Sequence, residues 1–133
     1  MTHIYILLNH DLTKRQIAEL HQTYGADAVL EYPPPDIKAF WSQVPPEPTL
    51  PQNEIDKILQ WLAEAKPNDV LLVQGDYSAT FALVVYALRK GMTAIHAVTK
   101  RVASEVRTGE QVARHYVFEH ECFREYKWYE KTE

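Results

Sequence analysis

The sequence predicts an α/β fold: a Rossmann-like, mostly parallel sheet flanked by helices, with a C-terminal antiparallel β-hairpin. Three observations predict it. Short, almost continuously apolar runs such as HIYILLN and VLLV suit strands buried on both faces. Between them lie segments whose apolar residues recur at helical spacing. The two kinds alternate as β-α-β-(loop)-α-β-α-β, the order that builds a parallel sheet through crossovers, and a last pair of β-leaning runs flanks RTGEQ.

The first strand is HIYILLN. The helix after it places Ile17, Leu20, His21 and Tyr24 on one face, and its start is signalled twice. Thr13 with Gln16 forms a capping box, and Leu12 staples onto Ile17. DAVLEY reads as the second strand. Residues 32–52 then read as a proline-rich loop or lid. The stretch EYPPPDIKAFWSQVPPEPTLPQ holds seven of the chain's eight prolines, which neither donate to a ladder nor continue a helix. Trp41 inside it argues for packing rather than disorder. Asn53 is the expected cap of the next helix, striped by Ile55, Ile58, Leu59 and Leu62 and ended by Lys66-Pro67. VLLV is the third strand. Past the turn Gln74-Gly75-Asp76, a helix striped by Phe81, Val84, Val85 and Leu88 runs to Gly91. TAIHAV is the fourth strand, and residues 99–126 form the hairpin, turning near Gly109. No repeat is present, so residues 1–133 read as a single domain.

Bulk properties narrow the function classes. A net charge of −4 argues against long DNA or RNA as a partner, which a basic surface would serve. One cysteine, Cys122, excludes an intramolecular disulfide framework. No apolar run is long enough to span a bilayer, and MTHIYILLNH lacks the basic region and cleavage site of a signal peptide, so the expected compartment is the cytoplasm, with no membrane partner.

Ligands of parallel sheets bind beyond the carboxyl ends of the strands. Asn9 and His10 follow the first strand; Gln74, Gly75, Asp76, Tyr77 and Ser78 follow the third; Thr99, Lys100 and Arg101 follow the fourth. The proline loop with Trp41, Ser42 and Gln43 leaves the second strand at the same edge. Each group has a chemical use there. Gly75 admits a ligand close to the backbone, and the amides opening the Ser78 helix favour an anion. Lys100 and Arg101 offer charge-assisted bonds to phosphate. A histidine ordinarily titrates near neutrality, so His10 is the candidate proton carrier. Trp41 and Tyr77 are candidate stacking surfaces for a nucleobase. Blander roles stand beside these: Asp76 as a helix cap, His10 as a solvated loop residue, Lys100-Arg101 as a solvated hairpin start, Trp41 as a loop anchor, His96 as a satisfied core histidine. What favours a site is the convergence of separate segments on one edge. His115, His120 and Cys122 lack the spacing of a zinc site, and the Walker and GxGxxG fingerprints are absent, so neither metal nor other cofactor is expected.

Taken together, LLNH, FWSQVPP, VQGDYSAT and VTKR resemble a family of stand-alone CRISPR-associated proteins, the Csx family numbered twenty, among the ring nucleases of type III systems. The likeness runs from Ile4 to about Tyr126 and rests on the order and spacing of these segments. Val98 departs from it where a second threonine is expected, and Ser78 where glycine is expected. The resemblance implies a CARF-like core and a homodimer that binds cyclic oligoadenylate, usually cyclic tetra-adenylate, across its axis. It implies metal-independent cleavage: the ribose 2′-hydroxyl attacks the adjacent phosphate, leaving a linear product with a 2′,3′-cyclic phosphate and switching off the effectors the messenger activates. Carried onto this chain, Lys100 and Arg101 would stabilise the phosphorane, and His10 or Asp76 would move a proton. Asn9, Gln74, Gly75, Tyr77, Ser78 and Thr99 would hold the ring, and Trp41, Ser42 and Gln43 would read or cover adenine. The alternatives are a non-catalytic cyclic oligoadenylate sensor or sink, and an unrelated nucleotide or sugar-phosphate enzyme.

Overall fold

Apolar runs buried on both faces need cover on both, and the helices provide it in two unequal layers. The structure, a computed structural model, describes residues 1–132, the side chains of residues 104 and 106 apart. The strands are β1 (His3–Leu7), β2 (Val29–Glu31), β3 (Val70–Val73), β4 (Thr93–Thr108) and β5 (Gln111–Glu125). The helices are α1 (Lys14–Tyr24), α2 (Pro35–Ser42), α3 (Gln52–Trp61) with a 3₁₀ turn at Leu62–Glu64, and α4 (Tyr77–Arg89). The described strands form one sheet in the order β2-β1-β3-β4-β5, parallel throughout except for β5. The α/β class with its mostly parallel sheet is therefore present as expected. Alternate residues of β1 and β3 point to opposite layers. Tyr5, Leu7, Leu71 and Val73 meet α2, α3 and α4, while Ile4, Ile6, Val70 and Leu72 meet Leu20 of α1. Among the described residues no helix is long and apolar enough to cross a membrane.

Four expectations need correction. The 32–52 segment is not one continuous loop, because α2 occupies Pro35–Ser42 with irregular chain on either side of it. Proline is tolerated at a helix's first position, where its missing N–H has no partner to lose. Ile37, Phe40 and Trp41 then fall on one buried face. Secondly, α3 starts at Gln52 behind Pro51, one residue ahead of the proposed Asn53 cap. Thirdly, α4 buries Ala79, Leu83, Val84 and Ala87, which turns Phe81 outward at 70% exposure.

The fourth concerns the hairpin. It does not begin as a separate unit at residue 99. β4 runs unbroken from the core into it, and β5 returns far enough to pair Glu125 with Ile95. The hairpin thus closes one edge of the sheet and continues beyond it as a two-stranded arm, turned at Gly109 with φ +64°. Where core becomes arm the register shifts. Val98 faces Cys122 but Thr99 faces His120, leaving Glu121 as the extra residue of a bulge. The bulge turns His120 onto α1 and away from the side occupied by Cys122. The His120 Nε2 lies 2.6 Å from Glu19 Oε2, and its ring packs on Phe123 at 4.7 Å.

Candidate functional site

The sheet order reverses between β1 and β3: the chain leaves β1 for β2 on one side and returns to β3 on the other. Strands leading away in opposite directions leave a crevice between their carboxyl ends. A cavity of about 370 Å³ lies there, lined by Asn9, His10, Gln74, Gly75 and Tyr77. The first and third strand ends therefore meet as the sequence predicts. A neighbouring cavity of about 260 Å³ shares Asn9 and His10 and adds Leu8, Asp11, Lys38 and Ser42.

The floor of the crevice is held by Gln74. Its backbone N–H donates to the Leu7 carbonyl at 3.2 Å, and its carbonyl accepts the Trp41 indole N–H at 3.1 Å. Its side-chain Oε1 accepts the Ala97 amide at 3.1 Å. One residue thus ties β1, α2 and β4 beneath the cleft. Trp41 is 1% exposed, so it supports the floor from below and is not a stacking surface for a base. A Cβ on Gly75 would stand 2.7 Å from Trp41 Nε1. The glycine is required by the indole, a reason the sequence reading assigned to a ligand.

His10 is exposed and its Nδ1 lies 3.0 Å from the Asp11 carbonyl. A carbonyl only accepts, so Nδ1 carries the hydrogen; in the neutral ring Nε2 then keeps a free lone pair, the form a general base needs. Asp76 caps α4, its Oδ2 accepting from the Ala79 amide at 2.9 Å. This carboxylate occupies the helix end where the sequence reading placed an anion, and one of its oxygens is committed to the cap. Ser78 is exposed on the first turn of α4. Ser42 reaches the cleft's edge, though its hydroxyl donates to the Ala39 carbonyl at 2.9 Å. Gln43, past the end of α2, lies outside these cavities.

Thr99, Lys100 and Arg101 are exposed on the arm. Lys100 is three residues beyond Ala97, roughly 10 Å along the strand, and Arg101 stacks over the Tyr116 ring at 4.3 Å. They stand above the crevice edge without lining it. The cation that does line it is Lys38. Sequence reasoning missed it because α2 was read as loop, and only a helix with Ile37, Phe40 and Trp41 inward fixes where residue 38 goes. Among the described residues no cluster of three His, Cys, Asp or Glu side chains could hold a metal.

His96, half-buried on β4, packs on Tyr126 at 4.8 Å and reaches the Ala97 carbonyl at 3.3 Å. Burial lowers its pKa from the usual 6.5, with the Arg124 charge acting the same way and the carbonyl opposing. Between the folded and unfolded values the unfolded chain binds more protons. The resulting stabilisation is complete above about pH 6.5 and is lost as pH falls through the lower folded value. Thermal midpoints of wild type and His96→Gln, taken from pH 7.5 to 5.5, should converge on acidification; a gap independent of pH would reject this.

Residues 2–124 match the family described as "Uncharacterized protein MJ1673 family". A protein of Methanocaldococcus jannaschii described as "Uncharacterized protein MJ1673" is 32% identical over 130 residues, which span 97% of this chain and 100% of that protein. No solved structure matches the chain. A likeness that runs over strand β1, the cleft and the arm alike means that the chain belongs to the uncharacterized protein MJ1673 family.

Proposed function

We propose that the β1/β3 crevice binds cyclic oligoadenylate, in particular cyclic tetra-adenylate, and cleaves it without a metal ion. The observation that carries this reading is the meeting of Asn9 and His10 with Gln74, Gly75 and Tyr77 at the point where the sheet order reverses. The resemblance of LLNH, FWSQVPP, VQGDYSAT and VTKR to type III ring nucleases supports the choice of ligand. In the reaction the 2′-oxygen attacks the adjacent phosphorus and the P–O5′ bond breaks. His10 Nε2 takes the 2′-hydroxyl proton, and the departing 5′-oxygen regains one. Nucleophile and electrophile already share one molecule, so the protein's main task is in-line placement. Lys38 at the rim, with Lys100 and Arg101 above it, supplies positive charge for the phosphates. A two-fold ring calls for two copies of the chain about one axis, and exposed, unpaired Cys122 suits a reducing cytoplasm.

A second reading, a sensor or sink without turnover, draws on two observations: one Asp76 oxygen is committed to the helix cap, and Lys100 and Arg101 stand off the cleft. One assay separates the two. Purified protein is incubated with cyclic tetra-adenylate in EDTA and products are resolved by mass. Linear di- or tetra-adenylate ending in a cyclic phosphate is the expected result. Tight binding of an intact ring selects the sensor. Failure to bind rings of any size overturns both readings and leaves an enzyme of other nucleotides or sugar phosphates.

A further inference from the structure

Next to the crevice lies a second opening of about 380 Å³ that shares Gln74, Gly75 and Tyr77 with it and extends along α4 past Thr80, Phe81 and Val84 to Tyr126. Its wall carries two aromatic rings one helical turn apart that the fold leaves in solvent, Tyr77 at 94% and Phe81 at 70% exposure. A third ring of the lining, Tyr126, is fixed, because its hydroxyl donates to the Val73 carbonyl at 3.0 Å. The lining also includes the Gln74 amide. Its Oε1 is held by the Ala97 N–H, which sets the amide's orientation, and its Nε2 makes no hydrogen bond among the described residues. Thr80, also in the lining, has its hydroxyl buried without a partner among the described residues. A mostly apolar slot with aromatic faces and one oriented donor has the chemistry of a pocket for a flat heteroaromatic ring whose nitrogen accepts a hydrogen bond.

We infer that this slot is the nucleobase subsite: a purine stacks on Tyr77 and Phe81, and the Gln74 amide donates to a ring nitrogen. The inference rests on the nucleotide reading of the adjoining crevice and deepens it. It replaces Trp41 with Phe81 as the aromatic partner of Tyr77. Continuity decides for a base over another occupant. The slot shares Gln74, Gly75 and Tyr77 with the cleft assigned to the phosphates, so a nucleotide seated there has its base next to the wall.

The test is calorimetric titration of cyclic tetra-adenylate into the full chain, the Phe81→Ala variant and the Tyr77→Ala variant, with the ring-proton shifts of Tyr77 and Phe81 followed by NMR on adding adenosine. Each variant should bind the ring roughly five- to a hundredfold more weakly, the size of one lost base–aromatic stack, with an unchanged circular dichroism spectrum. Wild-type affinity in both variants overturns the subsite while leaving the ring as ligand. If wild type binds no ring, the adenosine shifts decide alone: movement of both aromatic resonances upholds a base pocket, and none overturns it. A fall in sedimentation coefficient of the unliganded Phe81→Ala variant would assign the patch to contact between copies and overturn it also.

Discussion

Trp41→Ala is expected to lower the thermal midpoint by roughly 10–20 °C, the consequence of about 3–5 kcal/mol lost when a buried tryptophan is truncated in a domain of this size. The indole is 1% exposed and packs with Leu7, Val73 and Ile58 in the larger core layer. Its loss would also free the Gln74 carbonyl from the bond that holds the floor of the crevice. The effect should be coupled to Gly75, whose missing Cβ is what admits the ring. Gly75→Ala alone should destabilise, yet cost less in a Trp41→Phe background, where the smaller ring leaves room. Differential scanning calorimetry of the four proteins measures that non-additivity. A midpoint within about 2 °C of wild type for Trp41→Ala would show that the indole is not the support described.

His10→Ala is expected to reduce ring cleavage by about 10²–10⁴-fold, the usual contribution of a positioned general base, while cyclic tetra-adenylate affinity stays within a few-fold. Two features point to this split. The Asp11 carbonyl fixes the hydrogen on Nδ1, so Nε2 is available as acceptor, and the ring lines both crevice cavities without supporting the fold. Added imidazole should restore part of the lost rate, which a merely structural residue would not allow. Cleavage at the wild-type rate would mean that in-line placement does the work and that His10 is a solvated loop residue.

How much of this was legible in the sequence depended on how local the cause is. The Thr13–Gln16 capping box formed as predicted, since both partners lie within one turn: the Gln16 amide donates to Thr13 Oγ1 at 3.1 Å and the Thr13 amide to Gln16 Oε1 at 3.0 Å. The strands β1 and β3 were legible because burial on both faces leaves few polar interruptions. The α2 helix was hidden by flanking prolines that mark its ends and do not fill it. Phe81 was misplaced because YSATFALVVYALR is apolar on most sides, so spacing alone does not single out the inward face that the burial of Ala79 and Leu83 defines. The bulge at Glu121 has no local signature at all. It follows from two pairings that do not share a register, and it was what parted His120 from Cys122.

The candidate site was legible as an edge and not as a set of roles. Topology alone brought Asn9, His10, Gln74, Gly75 and Tyr77 together. The burial of Trp41, the capping role of Asp76 and the reach of Lys38 all depend on how α2 and α4 seat on the sheet, which no residue spacing encodes. Lys100 and Arg101 were expected past the end of the fourth strand, but β4 runs on from Thr93 to Thr108, so both lie within it and are carried off the crevice.

That continuation has a bearing on how such a chain can change length. Past Val98 the arm pairs only with itself, from Thr99 and His120 to Thr108 and Gln111. Residue pairs added or removed at its tip would lengthen or shorten it without touching the core. Two residues per strand, roughly 6.6 Å of reach, would return every remaining side chain to its own face. A single residue inserted in one strand would do what Glu121 already does at the base and turn the following face over. The arm is therefore a part whose reach is adjustable in steps while the crevice stays fixed.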